Sequence, residues 1–231
     1  MHKPIKEMHP PVFVATHWIN FVAIVILMLS GLYIHFPSFG GFMSVARGCH
    51  IFFGVVIFLN VVFRIIAAFF VKDANTMGSR ETDLDIKNFW FQKENRHQFF
   101  PMLRWYLFMK KDYPISAKYA TLQKISYMAI AVMLLCVSYT GFCLWGVTNQ
   151  LAIFAVGNNL FASIGFGAVP GGGALMATRV IHYIIAWLLV IIALIHIYIA
   201  TMHGMSAWRM IFLHKEDPDA GEGVADAPAE A

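Results

Sequence analysis

Four of the ten histidines lie inside long apolar stretches, where an ionisable side chain is costly to bury and is therefore a functional candidate. They are His17, His50, His182 and His196. A neutral imidazole is a good ligand for transition metals, iron among them. Metal ligation is thus the chemistry to which these residues are best suited.

The spacing of His182 and His196 favours one face of a helix. Fourteen residues of α-helix turn through about 1400°, within roughly 40° of four full turns, and rise about 21 Å. The two imidazoles should therefore face one side at opposite ends of the helix. His35 and His203 lie at the ends of apolar stretches, where water can satisfy them, and we interpret both as interfacial. The other four histidines lie outside these stretches: His2, His9, His97 and His214.

Four apolar stretches are long enough to hold these histidines in a membrane, since a hydrocarbon core of about 30 Å requires about 20 helical residues. The composition agrees, because 59% of the 231 residues are apolar and only 13% are charged. The first stretch lacks a small-residue cleavage site, so it should remain as a span and not be removed as a signal peptide. The predicted spans run approximately from Val12 to His35, Cys49 to Val71, Ile125 to Val147 and Thr178 to Met202.

The distribution of Lys and Arg predicts the direction of these spans. Fourteen basic residues lie at the two termini and in the loop Lys72 to Lys124, against Arg47 and Arg179 on the opposite side. This bias places both termini and the middle loop in the cytoplasm. The spans then alternate in direction, so that equivalent positions on different spans can be matched by depth.

Matching the histidines by depth gives two pairs, His50 with His182 near the outer face and His17 with His196 near the inner face. Ligation of a haem iron by two histidines requires such a pair, with apolar walls around the porphyrin and cations or water at its propionates. A single membrane histidine is as readily a hydrogen-bonded packing residue, but four at two matched depths favour ligation. The sequence therefore predicts an all-α bundle of four transmembrane helices that encloses two b haems.

Several other residues could contact the two macrocycles, and each has a simpler interpretation. Gly31 and Gly54 could give the porphyrin room or merely allow helices to pack closely. Arg64 could pair with an inner-haem propionate or extend toward the interface. Arg47 and Arg179 could serve the outer-haem propionates, with the same alternative.

The remaining segments provide no chemistry of their own. The loop segment PMLRWYLFMKKDYP is predicted to be a helix in the membrane interface or a solvated connector. Leu151 to Phe166 is too short and too polar at its ends for a fifth span, so we interpret it as an interfacial or partner-covered outer segment. One domain should cover residues 1–214, and the acidic residues 215–231 should form a disordered tail. The three cysteines have no CxxC or CxxCH spacing, which excludes covalently attached c-type haem and a thiolate-held iron–sulfur cluster.

Five segments carry a resemblance to a known family. They are THWIN around His17, VVFRIIAAFFV around Arg64, LRWYLFMKK from Leu103, YTGF from Tyr139, and the pair His182 and His196. Together they resemble the b-type cytochrome subunits of membrane-bound nickel-iron hydrogenases and the related gamma subunits of respiratory formate dehydrogenases. The resemblance extends to about residue 214. It implies a four-helix, two-haem cytochrome of the bacterial cytoplasmic membrane, with the same four histidines as ligands.

The resemblance also implies partners and a quinone site. Family members anchor an outward-facing dimer of a small iron–sulfur and a large nickel-iron subunit, and they pass electrons to menaquinone or ubiquinone. In the formate dehydrogenase relatives, a quinone pocket beside the inner haem involves a segment similar to KYATLQK, Lys118 to Lys124. The family's Asn is Ala120 here. Tyr119 and Gln123 remain candidate contacts to quinone, or they are polar residues at the head of the third span.

We therefore expect an electron-transfer subunit that has no substrate-oxidising site. Electrons would enter at the outer haem, cross to the inner haem and reduce quinone near the cytoplasmic face. Two alternatives stay open. One is a formate dehydrogenase or a thiosulfate or polysulfide reductase as the partner, and the other is a haem-free transporter or scaffold. Membrane lipid and an oligomer of the whole complex are further expected contacts, whereas nucleic acid is not.

Overall fold

The computed structural model describes residues 10–74, 82–89, 97–112, 121–166 and 173–202. Within these residues the chain forms seven α-helices and two short strands. In chain order they are α1 (Pro11–His35), α2 (Met43–Ala68), β1 (Lys72–Ala74), β2 (Thr82–Leu84), α3 (Asp85–Phe89), α4 (Phe99–Tyr106), α5 (Thr121–Leu144), α6 (Ala152–Phe161) and α7 (Ala174–Met202).

Helices α1, α2, α5 and α7 are long and apolar enough to cross a membrane, which confirms the four predicted spans. Three of them begin four to six residues earlier than predicted, at Met43, Thr121 and Ala174. Apolar length marks only the part of a helix that suits hydrocarbon, whereas helical hydrogen bonding continues through polar residues. In the loop before α2, Gly41 has a φ of +89°, a backbone conformation that favours glycine.

The segment after α5 is a short helix and, as expected, is not long enough for a fifth span. Helix α6 has ten residues and continues into a turn of π-helix, Ala162–Phe166. Asn158 of α6 donates a hydrogen bond to the Cys143 carbonyl at 3.0 Å and accepts one from the Thr178 hydroxyl at 2.5 Å. The Tyr139 hydroxyl donates to the Ile153 carbonyl at 2.8 Å. These contacts hold α6 against α5 and α7.

The loop between the second and third spans contains structure that the sequence only partly predicted. Strands β1 and β2 form an antiparallel hairpin, with Asp73 opposite Asp83, which we did not predict. Helix α4 confirms that part of the PMLRWYLFMKKDYP segment is helical. The last two residues of that segment, 113 and 114, lie outside the described residues. Met102 and Tyr106 of α4 are buried together with Ile199 of α7. The location of α4 in the membrane interface stays a prediction.

Contacts divide the chain into two compact units. The first comprises Thr16–Phe63 and Ala129–Ala193, and the second comprises Met1–Ala15, Arg64–Met128 and Leu194–Ala231. The core of the first unit consists of five buried side chains: Ala23, Ile57, Val61, Leu134 and Leu189. A single domain over residues 1–214 stays a prediction, and the acidic tail lies outside the described residues.

Candidate functional site

His50 of α2 and His182 of α7 lie close together within the first unit. Their ring centroids are 6.2 Å apart and the ring planes are inclined by 72°. Two metal–imidazole bonds of about 2 Å each, added to the distance of each nitrogen from its ring centre, place opposed ring centroids roughly 6 Å apart. The separation is therefore the one that a single metal ion between two imidazoles requires.

Each imidazole of this pair has a hydroxyl partner on another span. The Ser30 hydroxyl of α1 lies 2.9 Å from Nδ1 of His50, and the Thr140 hydroxyl of α5 lies 2.8 Å from Nδ1 of His182. A metal-ligating histidine characteristically uses its second nitrogen in such a hydrogen bond, which orients the ring. All four spans thus contribute one residue to the arrangement.

A cleft of about 730 Å³, counted with its open mouth, lies beside the two histidines in the same unit. Its walls are mainly aliphatic and aromatic, with contributions such as Leu27, Ile57, Phe142 and Trp145. Apolar walls of this kind suit a porphyrin, which is flat and largely apolar.

The glycines around the pair show where a side chain would be tolerated. A Cβ atom on Gly31 would lie 3.2 Å from Cε1 of His50, so Gly31 makes room for the imidazole itself. A Cβ on Gly54 would meet no atom within 4 Å, yet Gly54 lines the cleft. Gly54 therefore keeps cleft volume open and is not a helix-packing contact. Together with the two imidazoles and the apolar walls, this open space fits a haem b.

The other two predicted ligands, His17 and His196, fall in different units, and their pairing stays a prediction. His196 of α7 contacts the ring of Tyr127 of α5 at 5.1 Å between centroids. His17 of α1 lies edge-on to Trp18 at 6.1 Å. In the described part of the chain, no group of three or more His, Cys, Asp or Glu could hold a metal ion. A haem iron, which takes two protein ligands, would not need such a group.

The three arginines of interest have different surroundings. Arg64 forms a 2.7 Å ion pair with Asp85, whose side chain is wholly buried, and its guanidinium lies 3.7 Å from the ring centre of Phe13. Sequence reasoning missed this carboxylate, because the hairpin that places Asp85 was not recognised. A propionate is therefore not required to neutralise Arg64. Arg47 and Arg179 are exposed, each three residues before a histidine of the close pair.

The predicted quinone contacts are only partly described. Tyr119 and Ala120 lie outside the described residues, as does Lys118. Gln123 is half-buried in the first turn of α5, and the neighbouring Lys124 is 1% exposed. Sequence reasoning treated Lys124 as one of many loop cations. Its position at the head of an apolar span was the only signal that it would be buried.

His35, which we interpreted as interfacial, is exposed at the last residue of α1 and stacks on Tyr183 at 4.6 Å. Cys143 is wholly buried and Cys136 half-buried, both as free thiols. His203 lies outside the described residues.

Comparison with known proteins gives one family match that covers most of the chain. The family model for prokaryotic cytochrome b561 matches residues 8–212, which include all four spans and all four predicted histidine ligands. No curated protein gives a significant match.

Proposed function

This chain belongs to the prokaryotic cytochrome b561 family, and from that premise we propose that it connects a periplasmic nickel-iron hydrogenase to the quinone pool. As a family member it is a membrane cytochrome b for electron transfer and a multi-pass protein of the bacterial inner membrane. The proposal adds a partner, a quinone and a set of ligands. The observation that carries it is the 6.2 Å approach of His50 and His182 beside an apolar cleft.

Two haem b groups are proposed, one held by His50 and His182 and the other by His17 and His196. Haem b, when bound, supplies a one-electron carrier whose potential depends on its axial ligands and their surroundings. The imidazoles would bind the iron, and the apolar walls of the cleft would keep water from the bound haem. Arg47 and Arg179 can pair with propionates because both are exposed and precede a ligand by about one helical turn.

The positive-inside distribution supports a cytoplasmic location for both termini and the middle loop. His50 and His182 then belong to the periplasmic side, where the iron–sulfur subunit of a hydrogenase would deliver electrons. Quinone reduction is proposed near the cytoplasmic end of α5, with Gln123 and Tyr119 as hydrogen-bonding residues. Protons for quinol would be taken from the cytoplasm, so turnover would contribute to the proton-motive force.

The ligand assignment is tested by replacing histidines one at a time and measuring haem per purified chain. His182→Ala and His196→Ala should each reduce the content from two haems to one, and they should remove different components of the reduced-minus-oxidised spectrum. His35→Ala is the control, since it removes a histidine from the end of a span and should leave both haems. Full haem content in His182→Ala, or a wild-type content of one, would refute the two-pair proposal.

The partner is tested by purifying the intact complex from membranes and analysing its metals. Nickel in the co-purified catalytic subunit supports the hydrogenase assignment. Molybdenum in place of nickel would replace the hydrogenase with a formate dehydrogenase or a sulfur-compound reductase, and the cytochrome function would stand.

A further inference from the structure

We propose that Ser30 and Thr140 are positioning residues that fix the tautomer and ring orientation of His50 and His182, so that both present Nε2 to iron. The inference rests on the proposed function, because it concerns the same haem. It adds two residues that no sequence motif had singled out as part of the site.

The direction of each hydrogen bond follows from where the hydroxyl protons go. The Ser30 hydroxyl donates to the Ile26 carbonyl at 2.7 Å, and the Thr140 hydroxyl donates to the Val137 carbonyl at 3.0 Å. A hydroxyl that donates its one proton to the carbonyl accepts from the imidazole, and we infer this direction for both contacts. Each histidine therefore carries its proton on Nδ1, and Nε2 has the free lone pair that a metal ligand needs.

The same local arrangement occurs twice in the chain. In α1 the hydroxyl residue Ser30 is followed by Gly31, and in α5 Thr140 is followed by Gly141. A Cβ atom on Gly31 would lie 3.2 Å from Cε1 of His50, and one on Gly141 would lie 3.5 Å from Cε1 of His182. In each imidazole, Nδ1 is within hydrogen-bond distance of a hydroxyl and Cε1 lies close to a glycine.

This repetition argues against incidental contacts. A serine or threonine in an apolar helix normally satisfies its hydroxyl with a carbonyl three or four residues earlier, and Ser30 and Thr140 both do so. The bond to histidine is therefore not needed by the hydroxyl. The imidazole gains from it, because a buried Nδ1–H needs an acceptor, and for His50 and His182 the hydroxyl shares that role with the backbone carbonyl of Leu27 or Val137.

Loss of a hydroxyl should change the properties of the iron in a defined direction. A hydrogen bond from Nδ1–H to oxygen makes the imidazole a stronger donor, which favours ferric over ferrous iron. Removing the acceptor should shift this preference toward ferrous iron, and we take about tenfold as the expected size, equal to the smaller effects that outer partners have on metal affinity. For a one-electron couple a tenfold change corresponds to about 59 mV.

The experiment compares four forms of the purified holoprotein: wild type, Thr140→Val, Thr140→Ser and the control Thr201→Val. The control has the same chemistry, since the Thr201 hydroxyl also donates to a carbonyl three residues earlier in a span. Redox titration gives the midpoint potential of each haem. Electron paramagnetic resonance of the ferric state reports the angle between the two imidazole planes, which is 72° in this structure.

We expect Thr140→Val to raise the potential of one haem and change its resonance anisotropy, while Thr140→Ser and Thr201→Val match wild type. The affected haem should be the one that His182→Ala removes. If Thr140→Ser changes the potential and the resonance as Thr140→Val does, a retained hydroxyl is not sufficient to hold the imidazole, and the inference is wrong. An unchanged potential and resonance in Thr140→Val overturn the inference alone. If His182→Ala leaves the haem content and spectrum the same as in wild type, the ligand assignment is wrong as well.

Discussion

Gly54 provides the sharpest test of where the macrocycle lies, because packing and cofactor binding predict opposite results there. In Gly54→Ala the new methyl meets no protein atom within 4 Å. Alanine is favoured over glycine in a helix by about 0.8–1.0 kcal/mol, so the haem-free protein should become slightly more stable. The same methyl projects into the cleft beside His50 and should oppose haem binding.

The expected loss of haem affinity follows from the cost of overpacking a closely fitted site. Inserting one methyl typically costs about 1–3 kcal/mol. This range corresponds to a haem dissociation constant raised about 5-fold to 150-fold. Gly54→Leu should abolish binding at this site, since the larger side chain cannot be accommodated by small shifts.

The assay measures haem per chain after purification, haem transfer to an apoprotein acceptor, and thermal unfolding of the haem-free form. Gly48→Ala is the matched control, because it lies on the same helix, also meets no atom within 4 Å, and is not among the residues that line the cleft. Unchanged haem retention in both Gly54→Ala and Gly54→Leu would show that the macrocycle does not occupy this cleft.

Three further predictions concern the contacts that hold the loops in place. Asp85→Ala should lower the free energy of unfolding by about 3 kcal/mol, because it leaves the guanidinium of Arg64 without its carboxylate. Thermal unfolding measures this loss, and a change below about 1 kcal/mol would contradict the prediction. Gly157→Ala should cost about 1–3 kcal/mol, since a Cβ there would collide with the Tyr139 hydroxyl; equal stability to wild type would show that α6 shifts freely. Asn158→Ala should loosen α6, because it removes two buried hydrogen bonds. Limited proteolysis should then show faster cleavage near residues 152–161, and an unchanged cleavage rate would indicate that apolar packing alone holds the helix.

The spans and the proximity of His50 and His182 could be predicted from sequence because both depend on simple periodicity. Apolar length sets the number of helices, and helical rise converts residue number into depth. The depth argument needed no side-chain detail, since equal depth on neighbouring spans brings residues together whatever their rotamers.

The hydroxyl partners and the buried carboxylate could not be predicted in the same way. Ser30 is indistinguishable in sequence from the many hydroxyl residues that bond only to their own helix, and the YTGF segment that contains Thr140 does not show that Thr140 contacts a histidine. Asp85 lies in a loop rich in both charge signs, where three-residue strands leave no readable alternation. Its burial depends on the hairpin, and the hairpin depends on pairing between segments that have little propensity of their own.

The two close histidines come from α2 and α7, the second and the last of the long helices. During synthesis the chain exposes His50 to the bilayer well before His182 exists, so an incomplete protein offers only one axial nitrogen at this position. If the two histidines hold a haem as proposed, loading at this position follows insertion of the final helix. On this view, cells starved of haem should accumulate full-length chains with vacant sites, whereas chains truncated before residue 174 should never acquire haem there, however much is supplied.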